Sequence, residues 1–377
     1  MVNSIFNKAK ITGIKTVIPE KYIDIDDELV FFDNNPKKLA RAKKMMGYGR
    51  RYLVDKNTTV IDLAVYAAEK LLKEMNYDKS KIELLIFVNQ KPDYREPSDA
   101  CIAHGRLNLD KNCAATDILL GCSGYTYALW TAMSMIESGA VKNCLLLAGD
   151  IASFGIPQNN RKSAQLFGDA ASATIIELSQ KESKSTFVLG TDGKNWDKIV
   201  TPFGGIRLQP DEQDLKLEIK DGNNNLWTCH QPMMKGEDVF NFSVDVAPNI
   251  INEVIKISGI DKSDIDFFAI HQANKQIVET IAEKAEIPAE KTSSETFTKY
   301  ANNSTNSVVT VICDQLKNKK VKNILLCTFG IGLSWAACTI DFSDVYNGGI
   351  DTYISNQKNI NKKEQIDHWI KYFKGEE

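Results

Sequence analysis

The chain repeats itself at long range, and this repeat constrains its fold more than any other feature. Asp78-Lys79-Ser80-Lys81-Ile82 precedes the apolar run Leu84 to Val88, and Asp261-Lys262-Ser263-Asp264-Ile265 precedes Phe267 to Ile270, an offset of 261 − 78 = 183. Val141-Lys142-Asn143 opens Cys144 to Ala148, and Val321-Lys322-Asn323 opens Ile324 to Cys327, an offset of 321 − 141 = 180. Two matches at nearly one offset, each at a helix-turn-strand junction, imply two copies of a unit. In the first copy Thr59 can cap a helix whose apolar positions Val60, Leu63, Ala64, Ala67, Ala68, Leu71 and Leu72 share one face. In the second, Ile250, Ile251, Val254, Ile255 and Ile257 take that part. The strands behind them are continuous apolar runs, as parallel strands covered on both faces require. The fold class is α/β with two similar halves, and sites in such folds lie at strand ends.

The repeat divides the chain into a first half over 1–206, an inserted polar loop or hairpin over 207–235, a second half over 236–342 and an extension over 343–377. The insert carries Pro210, Asp211, Glu212 and Gln213 and then Asp221-Gly222-Asn223-Asn224-Asn225. In the extension Ile366, Trp369, Ile370 and Phe373 keep i, i+3, i+4, i+7 spacing, which predicts an amphipathic helix docked on the body. Its mixed charge argues against a membrane-surface helix.

With 377 residues the chain can bury a large core. Its net charge of −3 and lack of a basic stripe speak against a nucleic-acid partner. No apolar stretch reaches the length of about 18 residues that spans a bilayer, and no secretory h-region opens the chain. Eight cysteines are scattered without Cys-x-x-Cys pairs or zinc spacing. The expected location is the cytoplasm, with neither disulfides nor a metal.

One cysteine differs from the rest. Cys144, Cys327 and Cys338 sit inside apolar runs and read as core. Cys122 sits in Gly121-Cys122-Ser123-Gly124, between the strand Asp117 to Leu120 and a helix from Tyr125 to Glu137. There a helix N-terminus favours thiolate, and the flanking glycines leave space for a substrate. Local sequence leaves both a nucleophile and a structural thiol open. His271 ends the strand Phe267 to Ile270, and Asn302 lies in a small-polar stretch leading into a helix from Val308 to Leu316. Each also has a structural reading, as a satisfied strand-end histidine and as a capping residue. Cys, His and Asn in this order also suggest a papain-like protease, which a duplicated α/β body disfavours.

Taken together the motifs resemble those of the ketoacyl-ACP synthase III family. They are Asp117 to Leu129 around Cys122, Phe167-Gly168-Asp169-Ala170-Ala171, Met234-Lys235-Gly236-Glu237-Asp238-Val239-Phe240, His271-Gln272-Ala273-Asn274, Asn302, and Phe329-Gly330-Ile331-Gly332-Leu333-Ser334-Trp335. The resemblance runs from about Lys8 to Phe342. It implies a thiolase fold, a duplicated five-layer α/β/α/β/α body, usually a homodimer. It also implies an acyl thioester carried by coenzyme A or acyl carrier protein, a second substrate on acyl carrier protein, and no metal or organic cofactor. Cys122 would take the acyl group, with the N–H groups of Cys122 and Ile331 as oxyanion hole. His271 and Asn302 would serve decarboxylative condensation with malonyl-ACP, and Phe329 would shield the reacting carboxylate. A rival on the same scaffold is acyl transfer to a hydroxyl or amine without decarboxylation; a non-catalytic scaffold is disfavoured by the intact triad.

Positions that serve the family's usual acetyl-CoA primer are altered. Arg41 and Met45 stand where Trp and Arg are common, the following motif reads Met46-Gly47-Tyr48-Gly49, and Lys275-Gln276 replaces the arginine site after His-Gln-Ala-Asn. Lys275 and Arg41 are expected to meet a phosphopantetheine or an acidic carrier protein. Glu96 aligns with an aromatic position that the family inserts across the dimer into the acyl pocket. Two readings stand, a solvent-facing loop residue and a carboxylate that selects a polar acyl group.

Overall fold

The computed structural model describes residues 1–222, 224–354 and 362–376. Asn223 of the expected insert, residues 355–361 of the expected extension and Glu377 lie outside the described residues.

Two large mixed sheets organise the chain. Their strands are β1 (Val2–Phe6), β2 (Ala9–Pro19), β3 (Leu84–Asn89), β4 (Ala114–Leu119), β5 (Asn143–Asp150), β6 (Ala170–Leu178), β7 (Ser185–Thr191), β8 (Phe267–Ile270), β9 (Asn323–Gly330), β10 (Ser334–Asp341) and β11 (Tyr346–Tyr353). The helices are α1 (Pro36–Met46), α2 (Val60–Glu74), α3 (Asp99–Arg106), α4 (Gly124–Glu137), α5 (Gly236–Ser258), α6 (Lys275–Lys284), α7 (Glu295–Tyr300), α8 (Ser307–Gln315) and α9 (Lys362–Lys374). The first sheet has the order β11-β2-β6-β5-β3-β4, the second β1-β7-β10-β9-β8. Within them β2-β6-β5-β3 and β7-β10-β9-β8 repeat one pattern, antiparallel, antiparallel, parallel.

The register carries the sequence offsets through. Leu84 pairs with Cys144 in the first sheet and Phe267 with Ile324 in the second, so the offsets are 267 − 84 = 183 and 324 − 144 = 180. Helices α4 and α8, starting at Gly124 and Ser307, also differ by 183.

Strand alternation explains why the runs are continuously apolar. Leu84, Ile86 and Val88 of β3 face a cluster shared with α4, α8 and Phe267 and Ala269 of β8, between the two sheets. Leu85 and Phe87 face outward onto α2 and α3, while Phe268 and Ile270 face α5 and α6. Three helical layers therefore enclose two sheets, the five-layer arrangement implied by the resemblance. Helix α2 starts where its pattern predicts, the Asp62 carboxylate accepting the Thr59 N–H at 2.8 Å.

Three expectations change. A boundary at 206 does not separate the sheets, because β1 and β7 precede it and yet pair into the second sheet. The extension does not stand apart either, since β11 adds to β2 in parallel. Alternation locates a strand but is silent on a non-local partner. Finally, α9 forms but most of its apolar face stays open: its apolar residues are 46–92% exposed, and it meets the body where Trp369 contacts the Tyr94 ring at 6.0 Å. Amphipathic spacing marks an apolar face without saying what covers it. Between the halves, Glu218–Lys220 pairs with Leu226–Thr228 as a short hairpin.

Candidate active site

The ends of β3, β5, β8 and β9 and the start of α4 meet at one cavity of about 570 Å³. Cys122, His271, Asn302, Phe329 and Ile331 all line it, as do Gln90, Asp150, Ser304 and Gly330.

Cys122 occupies the turn from β4 into α4, closed by the Gly124 N–H donating to Gly121 O at 2.6 Å. The glycines around it are needed for packing. A Cβ on Gly121 would lie 2.2 Å from Ile331 Cγ2 and 2.6 Å from the Gln90 amide carbon, and one on Gly124 would lie 2.8 Å from Val88 Cγ2. Space beside the sulfur is supplied instead by Gly330 across the cavity, where a Cβ would lie 2.7 Å from Cys122 Cβ and 2.9 Å from Sγ.

The thiol is not the ready thiolate that a helix N-terminus alone suggests. Burial pushes the Cys122 thiol up to about 11; a contact with Ser304 and the N–H groups of Ile331 and Cys122 pull it down, and the Asp150 charge adds to the rise. Ser304 Oγ stands 3.9 Å from Sγ. The N–H groups of Ile331 and Cys122 lie near enough to the sulfur to favour its charged form. A hydroxyl chain ties their segments together: Ser123 Oγ bonds Ser334 Oγ at 2.7 Å, and Ser334 Oγ donates to Ile331 O at 2.8 Å.

His271 is buried at the end of β8, its N–H donating to Cys327 O at 2.8 Å and its ring edge-on to Phe329 at 5.4 Å. Burial drives its imidazole down to about 3, so it is neutral at ordinary pH. Nδ1 is buried without a hydrogen-bond partner among the described residues. A bare lone pair there costs less than an unpaired N–H, which puts the ring proton on Nε2.

Asn302 is held from both sides. Its N–H donates to Leu166 O at 2.9 Å, its carbonyl accepts the Gly168 N–H at 3.2 Å, and its side-chain Oδ1 accepts the Ser304 N–H at 2.8 Å. Ala301 and Ser304, both non-glycine, take φ of 59° and 50° in this turn. With Oδ1 fixed, Nδ2 has no hydrogen bond among the described residues and remains a donor for the cavity.

Asp150 and Gln90 belong to no motif singled out in the sequence. Asp150, at the end of β5, accepts from Gln90 N–H at 2.9 Å, Gln90 Nε2 at 3.2 Å, Thr305 N–H at 3.2 Å and Thr305 Oγ1 at 2.6 Å. Gln90 Nε2 also donates to Ser304 Oγ at 2.7 Å. Carrying the 180 offset to the ends of β5 and β9 aligns Asp150 with Gly330.

The expected substrate contacts divide. Gln276 lines the cavity. Arg41, on α1, is exposed and does not line it, and Lys275 faces Glu279 at 3.7 Å. Glu96 is exposed and outside the cavity of its own chain. Among the described residues, no group of three or more His, Cys, Asp or Glu is placed to hold a metal, and no helix is long and apolar enough to cross a membrane.

Comparison with known proteins gives a consistent result. The family description 3-oxoacyl-[acyl-carrier-protein] synthase III matches residues 116–193, and its C-terminal counterpart matches 255–342. A putative 3-oxoacyl-[acyl-carrier-protein] synthase 3 of Campylobacter jejuni is 38% identical over 354 residues, spanning 92% of this chain and 98% of its own. A beta-ketoacyl-[acyl-carrier-protein] synthase III of Acholeplasma laidlawii is 30% identical over 334 residues, 88% of this chain and 98% of its own. The crystal structure of a 3-oxoacyl-(acyl-carrier protein) synthase from Burkholderia xenovorans superposes with a TM-score of 0.85 at 32% identity, covering 93% of this chain and 99% of that one.

Proposed function

Because the chain belongs to the 3-oxoacyl-[acyl-carrier-protein] synthase III family of thiolase-fold condensing acyltransferases, we propose that Cys122 carries the acyl group and that His271 and Asn302 drive the decarboxylative step. The convergence of these three side chains on one cavity carries this reading.

In the first half-reaction the Cys122 sulfur attacks a thioester carbonyl. The Cys122 and Ile331 N–H groups hold the oxyanion, the leaving thiolate takes up the thiol's proton, and an acyl-cysteine remains. In the second, the bond between the malonyl α-carbon and its carboxylate breaks and carbon dioxide leaves. The enolate oxygen accepts from His271 Nε2–H and Asn302 Nδ2–H. The α-carbon attacks the acyl-cysteine, its carbonyl re-forms, and the sulfur departs as thiolate and regains a proton. A neutral imidazole suits this work because it donates without protonating the enolate oxygen. Phe329, against the His271 ring, keeps water from the reacting carboxylate. The thioesters carry their own activation, so these steps call for no metal or organic cofactor.

Carrier protein would approach across α1, where Lys37, Arg41 and Lys44 stand beside Lys38 and Lys43, which pair with Asp33 and Asp26 at 2.7 Å, and Met46 reaches the cavity. Lys275 flanks the same mouth, where a Cβ on Gly47 would lie 2.6 Å from its Cβ. A homodimer is supported by the open edge strand β4, which leaves Leu119 74% exposed. In such a dimer Glu96, exposed and outside its own chain's cavity, faces the partner's pocket. Six of eight free cysteines are buried, which suits a reducing cytoplasm.

Carbon dioxide release from malonyl-ACP, with and without an acyl thioester primer, tests the roles. His271→Ala and Asn302→Ala are each expected to lower release by about 10²–10³-fold while Cys122 is still acylated. Undiminished release in both, or product formed without release, would overturn the assignment.

A further inference from the structure

The cavity beside Cys122 is lined in part by an amide, that of Gln90, whose orientation is fixed by its neighbours. A carboxylate oxygen accepts, so the end of Gln90 that faces Asp150 Oδ2 at 3.2 Å is the nitrogen. The same nitrogen donates to Ser304 Oγ at 2.7 Å. Both amide protons are therefore committed, and the backbone N–H of Gln90 adds a third tie, to Asp150 Oδ1 at 2.9 Å. Asp150 in turn is 1% exposed and held by two donors of Thr305. The amide cannot rotate without breaking this set.

What remains is the carbonyl oxygen. Gln90 Oε1 has no hydrogen bond among the described residues and lies against the chain beside the nucleophile, where a Cβ on Gly121 would be 2.6 Å from it. The amide's other end reaches Cys122 through one hydroxyl, Ser304 Oγ being 3.9 Å from Sγ. Gln90 lines the same cavity as Cys122, the cavity that an acyl group on Sγ would occupy. A plain alkyl chain would cover an acceptor and leave it unpaired, whereas an O–H or N–H on the chain would satisfy it.

Building on the acyl-cysteine reading above, we propose that Gln90 is a specificity-determining residue and that the acyl group taken by Cys122 bears a hydroxyl or amine hydrogen within its first few atoms, donated to Gln90 Oε1. The substrate class is a hydroxyacyl or aminoacyl thioester in place of a straight alkyl primer.

The test compares pantetheine thioesters of butanoate, 3-hydroxybutanoate and 3-aminobutanoate, reading the initial rate of Cys122 acylation by intact-protein mass. The wild type is expected to favour at least one donor-bearing group by about 10-fold over butanoyl, and Gln90→Met to lower that ratio to near or below one. Equal or faster acylation by butanoyl in the wild type overturns the inference, and this arm needs no variant to fold. An unchanged ratio in Gln90→Met overturns it as well. If none of the thioesters acylates Cys122, the condensing reading itself falls and this one with it.

Discussion

The start of α4 and the start of α8 are two copies of one junction put to opposite uses. Adding 183 to Cys122 gives Thr305, and adding 180 to Asp150 gives Gly330. In the second half the helix N-terminus is filled from within the protein: the Asp150 carboxylate takes both the N–H and the hydroxyl of Thr305. In the first half the facing position is Gly330, which presents no side chain, and the N–H groups of Cys122 and Ile331 are left for a substrate's charge. A helix N-terminus attracts an anion in either case. The protein supplies its own at one copy and leaves the other for the reaction.

The comparison breaks most sharply at Gly330. Gly330→Ala would place a methyl 2.9 Å from Cys122 Sγ, and misplacing a nucleophile by about 1 Å is expected to cost about 10²-fold in acylation. Overpacking of this kind costs about 1–3 kcal/mol, which a denaturant titration would separate from the kinetic effect. Acylation at the wild-type rate would mean that the open side of the sulfur lies elsewhere.

A smaller effect is expected at Asp150. Its charge holds the Cys122 thiol up, so in Asp150→Asn the pH profile of iodoacetamide alkylation of Cys122, which in the wild type should rise towards about 11, is expected to move to lower pH. The Thr305 and Gln90 donors lose a charged acceptor, and stability should fall by roughly 1–3 kcal/mol. A profile that moves to higher pH would contradict an electrostatic role for Asp150.

Much of this is legible in the sequence. The apolar runs at Leu84 and Phe267, repeated at 183, locate the paired strands because full burial leaves an unmixed hydrophobic signature. Cys122 is marked by small neighbours, though for a reason other than expected: Gly121 and Gly124 make room for Ile331, Gln90 and Val88. Asp150 and Gln90 were not legible as a site, because a buried polar network depends on partners 60, 155 and 214 residues away. The crossing of β1 and β7 into the second sheet and the uncovered face of α9 escaped for the same reason. Periodicity records which face is apolar, and pairing is decided by residues far along the chain.

The most direct test is the site of acylation. After incubation with an acyl thioester and no malonyl-ACP, peptide mapping by mass spectrometry should find one acyl group, on the peptide bearing Cys122, and none on the other seven cysteines, including the exposed Cys101. An unmodified Cys122, or an acyl group on another cysteine in its place, would contradict the account.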